Sequence, residues 1–276
     1  MIEATCLGSG SSGNSLLIRT ANTILLVDCG IGLRRLSGAL ATRGLKLDDI
    51  DAVLISHEHG DHVRELPRLI AANKTIICTK GSSRAAHVPR ANWEESASNR
   101  PVKVGDFQIT AIPVSHDAVE PCGFLICGGD RTITILTDLG SASAAAAEAI
   151  SESHLVVLEA NHDEALLQRG PYPMHLKRRI LSDAGHLSNT DCAELLASAL
   201  LRSRSLPTLW LAHLSEANNR PALAKQTVTR RLAQAGLKLD LQTLPRRDVS
   251  STWNPLHAKV GVAQLALDIP VGKANA

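Results

Sequence analysis

The chain has 276 residues, of which 44% are hydrophobic and 2% aromatic, and its formal net charge is +2. This composition excludes a chain that is disordered throughout, and it predicts one large α/β domain with a core of aliphatic side chains. A net charge so close to zero neither indicates nor excludes a nucleic-acid partner.

The N-terminal segment, MIEATCLGSG, has neither the basic part nor the apolar part of a signal peptide. No stretch of the sequence approaches the ~18 uncharged apolar residues that a membrane-spanning helix needs. We therefore expect a cytoplasmic protein with no membrane partner. The six cysteines are scattered and form no CxxC pair, which predicts reduced thiols rather than a disulfide framework or a cysteine-bound zinc ion.

The first motif along the chain is a loop of glycine and serine, LGSGSSGNS, with a G-x-G-x-x-G pattern at Gly8, Gly10 and Gly13. In dinucleotide-binding folds a helix follows this pattern, and the helix N-terminus holds the pyrophosphate. Here the next residues, NSLLIRTANTILLVD, predict two strands joined by a turn at ANT. We therefore expect no nicotinamide cofactor.

The same loop still offers many backbone N–H groups, which can bind a single phosphate. Ser11, Ser12 and Asn14 are for this reason candidate substrate-binding residues. A plain flexible turn explains the composition equally well, so both interpretations stay open at this point.

Short segments rich in leucine or β-branched residues predict strands, and they dominate the first half of the chain. In chain order they are SLLIRT, TILLVD, DAVLIS, TIICT, FQITAIPVS, GFLIC, RTITILTD, HLVVLEA and TLWLAHL. Helical patterns lie between some of them: GLRRLSGALATRG, HVRELPRLIAAN, SASAAAAEAIS, MHLKRRILSDAG, TDCAELLASALLRS and PALAKQTVTRRLAQAG. The pattern predicts a layered α/β domain with mixed sheets over residues 1–245, followed by a weakly patterned C-terminal extension over 246–276.

Five of the predicted strands run directly into a histidine or an aspartate. These strand-end residues are Asp28, His57, His116, Asp138 and His213. Ligand sites in α/β proteins favour the ends of strands, because side chains from separate loops can converge there. One polar residue at a strand end is ordinary, but a set made only of histidine and aspartate indicates a shared site.

The stretch SHEHGDH, Ser56 to His62, concentrates three histidines, a glutamate and an aspartate in seven residues. A polar surface loop is the simpler explanation for one histidine, but it does not account for H-x-H-x-D-H combined with strand-end partners elsewhere. Imidazole and carboxylate ligands together suit zinc, manganese or iron rather than calcium. The set is too large for one catalytic metal and fits two divalent metal ions that share a bridge.

This signature resembles that of the metallo-β-lactamase-fold hydrolases, and the downstream histidines and aspartate follow in that family's order. The resemblance extends over roughly residues 2 to 245. It implies a four-layer αβ/βα sandwich, in which two mixed β-sheets are flanked by helices and a dinuclear metal site lies between the sheet edges.

The resemblance also implies a role for each candidate ligand. One metal would be held by His57, His59 and His116, the other by Asp61, His62 and His213, and Asp138 would bridge them. Asp28 would orient the histidine loop from behind, a support that ligating histidines usually need.

Three further stretches, LEANHD, SDAGHLSN and LAHLSEANN, together with the glycine loop, resemble the YycJ/WalJ-type, exonuclease-like subgroup of that family. Within them His186 is a candidate for phosphate contact or proton transfer, although a structural helix-end histidine is the alternative. Asn161, Ser188 and Asn189 are further candidates for substrate binding. Ser188 is also a candidate N-cap for the helix that follows it.

The predicted function is hydrolysis by a metal-activated hydroxide, most simply of a phosphodiester in DNA or RNA, with Asp61 orienting the nucleophile. The low aromatic content and the scattered basic residues weaken the nucleic-acid interpretation. The alternative is hydrolysis of a small thioester, lactone or cyclic phosphodiester at the same metals. A metal-binding module without turnover is a further alternative, which the complete ligand set disfavours. The sequence leaves the metal and the oligomeric state open.

Overall fold

The computed structural model describes residues 1–203 and 205–256 and the backbone of 262–263. Its first sheet has six strands that follow one another in chain order. They are β1 (Glu3–Gly8), β2 (Ser15–Arg19), β3 (Ile24–Val27), β4 (Ala52–Leu54), β5 (Thr75–Cys78) and β6 (Trp93–Glu95). The pairs from β1 to β3 are antiparallel and those from β3 to β6 are parallel, so this sheet is mixed.

The second sheet has seven strands in the order β14-β12-β11-β10-β9-β8-β7. They are β7 (Val102–Val104), β8 (Phe107–Pro113), β9 (Cys122–Gly128), β10 (Arg131–Leu136), β11 (Leu155–Glu159), β12 (Thr208–Ala212) and β14 (Leu241–Thr243). This sheet is also mixed, antiparallel from β7 to β10 and parallel from β10 to β14. A separate two-stranded ladder joins β13 (Leu237–Lys238) to β15 (Val262–Ala263).

Nine α-helices and one short 3-10 helix, Leu47–Asp49, connect the strands within the described residues. The α-helices are α1 (Leu33–Ala41), α2 (Gly60–Val63), α3 (Leu66–Ala71), α4 (Lys80–Ala85), α5 (Ala144–Ser151), α6 (Glu164–Arg169), α7 (Met174–Ile180), α8 (Asn189–Leu200) and α9 (Pro221–Gln234). No described helix has both the length and the apolar composition needed to cross a bilayer.

Three apolar clusters show how the layers stack. The central cluster joins inner faces of both sheets, for example Leu54 of β4 with Phe124 of β9 and Trp210 of β12. A second packs α5, α8 and α9 on the outer face of the second sheet, and a third packs α1 and α3 on the outer face of the first. The predicted αβ/βα sandwich of two mixed sheets flanked by helices is confirmed.

The start of the predicted C-terminal extension lies along the sandwich. The backbone N–H of Ser250 donates to Cys6, and Trp253 and Ala4 exchange hydrogen bonds across the free edge of β1. The Trp253 side chain belongs to the central apolar cluster. The boundary at residue 245 stays a prediction, and residues 257–261 and 264–276 of the extension lie outside the described part of the chain.

Candidate metal centre

The five strand-end residues meet where the carboxyl ends of both sheets lie together. Asp28 follows β3, Asp138 follows β10 and His213 follows β12, and their φ angles are 58°, 56° and 53°. Residues other than glycine rarely adopt a positive φ, although aspartate and histidine tolerate it better than most. Such residues persist where the surrounding structure holds them, and they cluster at functional sites. The sharp turn at each strand end aims these side chains into one space.

One group of ring nitrogens gathers around the histidine loop. His59 Nδ1 lies 3.0 Å from His57 Nε2 and 3.3 Å from His116 Nε2. Three ring nitrogens this close cannot all carry protons. They form a set of lone pairs that can converge on one cation.

A second group lies beside the first. Asp61 Oδ2 is 3.6 Å from His62 Nε2 and 3.5 Å from His213 Nε2. Asp138 lies between the groups, with its Oδ2 atom 2.9 Å from His62 and its Oδ1 atom 4.0 Å from His116 Nε2. The structure therefore brings together all seven residues that the sequence proposes as ligands, in the predicted two sets.

In three of these histidines, His57, His62 and His116, the Nδ1 atom is held from outside the ligand groups. His62 Nδ1 bonds to Asp28 at 2.8 Å, and His116 Nδ1 bonds to the carbonyl of Gly185 at 3.0 Å. The Ser56 hydroxyl lies 3.1 Å from the Nδ1 atoms of both His57 and His62. Such contacts fix the ring orientation and turn Nε2 towards the other candidate ligands, the pattern that supports ligating histidines.

Glu159, the last residue of β11, also belongs to this centre, although the sequence analysis did not select it. Its Oε1 atom lies 2.8 Å from Nδ1 of His213 and 2.8 Å from Nδ1 of His186, and Oε2 accepts the N–H of Leu139. Glu159 is fully buried. A signal was present, because LVVLE is a further strand that ends on a potentially ligating residue.

The carboxylates and imidazoles of the centre lie close enough to shift one another's pKa values. Burial alone would raise the pKa of Asp138, but His213 and His62 hold it well below its usual range. Burial alone would lower the pKa of His62, but Asp28 and Asp138 raise it well above its usual range. Burial lowers the pKa of His57. The buried carboxylates thus attract positive charge. A proton on His62 supplies that charge in the protein alone, and a bound metal cation would replace the proton.

One buried atom tests whether metal ions fit this site. His213 Nε2 is buried and makes no hydrogen bond within the described residues, and the nearest carboxylate oxygen, Asp61 Oδ2, is 3.5 Å away. An unbonded buried polar atom is costly unless something absent from the protein chain satisfies it. His213 lines the cavity and its ligand atom groups with those of Asp61 and His62, so the donor set fits divalent metal ions.

A cavity of about 230 Å³ opens onto the candidate ligands. Ser11, Asn161 and His186, three predicted substrate or catalytic residues, contribute to its wall. His186 Nδ1 is bound to Glu159, so Nε2 is the nitrogen left for a ligand.

The structure does not place the other four predicted substrate residues on this wall. Asn14 is buried behind the ligands and donates to Asp61, whereas Ser12 accepts a hydrogen bond from Arg64 through its carbonyl. The other two are Ser188, which caps α8 through the N–H of Asp191, and Asn189, whose side chain bonds to Asn219. The predicted N-cap is confirmed, and the helix begins at Asn189. The side chains of Asn14, Ser188 and Asn189 are thus bonded to other parts of the protein and do not line the cavity.

The glycine loop joins the centre through backbone contacts. β2 and β3 form the antiparallel hairpin that the sequence predicts, so no helix follows Gly13. The N–H of Asn14 donates to the carbonyl of Asp61, and Gly30 donates to Asn14. The loop thus supports the histidine segment from behind, while Ser11 reaches the cavity.

The comparisons with known proteins point in one direction. Residues 23–208 match the family model described as Beta-lactamase superfamily domain. Exodeoxyribonuclease WalJ of Streptococcus pneumoniae serotype 2 (strain D39 / NCTC 7466) is 38% identical over 239 residues, which cover 84% of this chain and 88% of that protein. Exodeoxyribonuclease YycJ of Bacillus anthracis is 33% identical over 247 residues, which cover 85% of this chain and 90% of that protein.

A solved structure agrees with the architecture. The metallo-beta-lactamase fold protein YhfI from Bacillus subtilis superposes with a TM-score of 0.71 at 18% identity, covering 92% of this chain and all of that one. At this identity the likeness concerns the fold alone.

Proposed function

The chain belongs to the metallo-β-lactamase superfamily, and from that premise we propose that it is a dinuclear metal-dependent phosphodiesterase that removes nucleotides from the end of DNA. The observation that carries the proposal is the pair of histidine and carboxylate groups that share Asp138 at the base of a cavity. The substrate class rests on the two relatives named exodeoxyribonucleases, which this chain matches over most of its length.

We assign His57, His59 and His116 to one metal ion, Asp61, His62 and His213 to the other, and Asp138 to both. Zinc and manganese suit this mixture of imidazole and carboxylate, and iron is the third choice. Two such ions would supply a nucleophilic water of lowered pKa and would neutralise the non-bridging oxygens of a phosphodiester. The protein is proposed to act in the cytoplasm.

The side chains around the ligands have separate tasks in this proposal. Asp61 lies on the cavity wall with Oδ2 close to two ring nitrogens, and it orients the attacking water. Glu159 holds the Nδ1 atoms of His186 and His213, so each ring presents Nε2. His186 then donates from Nε2 to a phosphate oxygen as negative charge develops there.

A small ester is the second candidate substrate, and the shape of the cavity favours it. Its volume of about 230 Å³ is smaller than the ~300–1,000 Å³ of most ligand pockets, and Leu176 and Ile180 make part of the wall apolar. An acyl group fits such a wall. An oligonucleotide would enter this cavity with its terminal residue only.

Replacing His186 by alanine tests the proposal directly. We expect the wild type to cleave labelled single- or double-stranded oligonucleotides with zinc or manganese, and more slowly as salt rises, because phosphate contacts release counterions. His186→Ala should lower kcat by about 10²-fold or more while both metals stay bound. His175→Ala is the matched control, because His175 is exposed on α7 outside the cavity wall.

Two results would contradict the proposed substrate or the proposed role of His186. Absence of oligonucleotide cleavage in every condition, together with turnover of a thioester or lactone, would show that the protein is a small-ester hydrolase. Loss of a metal from His186→Ala, measured by elemental analysis, would make His186 a ligand.

A further inference from the structure

Tyr172 is the single tyrosine of the chain, and it lies on the wall of the metal cavity. The other aromatic side chains serve the interior or the outer sheet edge: Phe107, Phe124, Trp210 and Trp253 are buried, and Trp93 bonds to Cys78 with Arg90 over its ring. Tyr172 is half-buried. Its ring is therefore the aromatic surface that the described structure offers to a substrate.

The wall around Tyr172 is apolar over one face and cationic at its edge. Leu176 and Ile180 are four residues apart in α7, which places them on one side of the helix, and both line the cavity. Tyr172, which precedes the helix, lines the same cavity. Arg179 lines it as well. The guanidinium of Arg179 is bonded to Asp117, whose carboxylate lies 3.3 Å from His116 Nε2. The position of Arg179 is thus tied to the metal centre.

The backbone presents the tyrosine ring in a restricted way. Tyr172 lies between Pro171 and Pro173, and the latter precedes the first residue of α7. Proline fixes its own φ and pushes the preceding residue towards extended conformations. A tyrosine held like this loses little conformational entropy when it contacts a ligand.

We propose that Tyr172 stacks on the base of the terminal nucleotide while the phosphodiester of that nucleotide lies at the metal centre, with Arg179 contacting the adjoining phosphate. This inference rests on the proposed function and assigns its specificity-determining contact. Every base has a π-face, so the contact selects for a nucleobase without selecting its identity. It also explains how an enzyme with so few aromatic residues can hold a strand end.

Changing both partners of the stack provides the test. Tyr172→Ala should lower kcat/KM on an ordinary oligonucleotide by about tenfold or more, mainly through KM, whereas Tyr172→Phe should keep wild-type values. An oligonucleotide with an abasic residue at the terminus that is attacked should be cleaved slowly by the wild type, and Tyr172→Ala should cause no further loss on it. Met174→Ala, exposed on the same segment, is the matched control.

Abasic residues are placed in separate substrates at the 5′ end, at the 3′ end and well inside the strand, and all variants are checked by thermal melting. Equal losses from Tyr172→Ala on intact and abasic ends would overturn the stack, as would an unchanged KM. If Tyr172→Ala cleaves DNA with the same kinetic constants as the wild type, the inference fails and the proposed function stands. If the wild type cleaves no oligonucleotide, both fail together.

Discussion

Replacing Asp138 by asparagine is expected to lower kcat/KM on an oligonucleotide by at least about 10³-fold, the largest effect of any single substitution at this centre. The Asp138 carboxylate approaches both ligand groups, with Oδ2 near His62 and Oδ1 near His116 and His213. Removing the negative charge of this carboxylate should weaken the binding of both metal ions at once. Asparagine is the appropriate replacement because it tolerates the φ of 56° at this position, so the backbone turn is kept.

Asp130→Asn is the matched control for this change. Asp130 immediately precedes β10, whereas Asp138 follows the opposite end of the same strand, and the Asp130 side chain is 86% exposed. The control should keep wild-type activity and metal content. Similar losses from the two variants, measured by steady-state kinetics and elemental analysis, would mean that the strand-end assignment is wrong.

Replacing Gly30 by alanine is expected to have the second-largest effect, and through packing alone. A Cβ atom at Gly30 would lie 1.6 Å from the backbone oxygen of Asp61 and 2.9 Å from the backbone nitrogen of His62. The histidine loop would have to move away from the segment that follows β3. We expect the free energy of unfolding to fall by about 3 kcal/mol or more and metal content to fall with it.

Gly38→Ala controls for the substitution itself. Gly38 lies within α1, and apart from its chain neighbours and the backbone of its own helix no heavy atom lies within 4 Å of the added Cβ. Alanine there should raise the free energy of unfolding by about 0.5–1 kcal/mol, because glycine is unfavourable inside a helix. Urea denaturation compares the two variants. Wild-type stability and metal content in Gly30→Ala would show that this close contact does not hold the histidine loop in place.

Much of the centre could be predicted because its residues directly follow strands that are recognisable in the sequence. A run of apolar residues that stops at His57 or Asp138 fixes both the element and the edge at which the side chain lies. Parallel strands bring those edges together, so contacts between distant parts of the sequence follow from local pattern. Glu159, the last residue of β11, obeys the same rule.

The wall of the cavity could not be predicted in the same way. Ser188 and Asn189 occur in a stretch that resembles a functional motif, yet their side chains cap and brace α8. Tyr172 has no neighbouring motif, and its place on the wall depends on how α7 packs beside the metal centre. Local pattern specifies where a strand ends, but the orientation of a short connecting helix depends on tertiary packing that the sequence does not display.

The central claim is that two metal ions held by these residues perform hydrolysis, and metal content measured together with activity tests it most directly. Purified wild type is analysed for zinc, manganese and iron, stripped with a chelator, and reconstituted stepwise while oligonucleotide cleavage is followed at each stage. We predict two divalent ions per chain, loss of cleavage on stripping, and full recovery only when the second ion is restored. Undiminished cleavage by the metal-free protein would contradict the account.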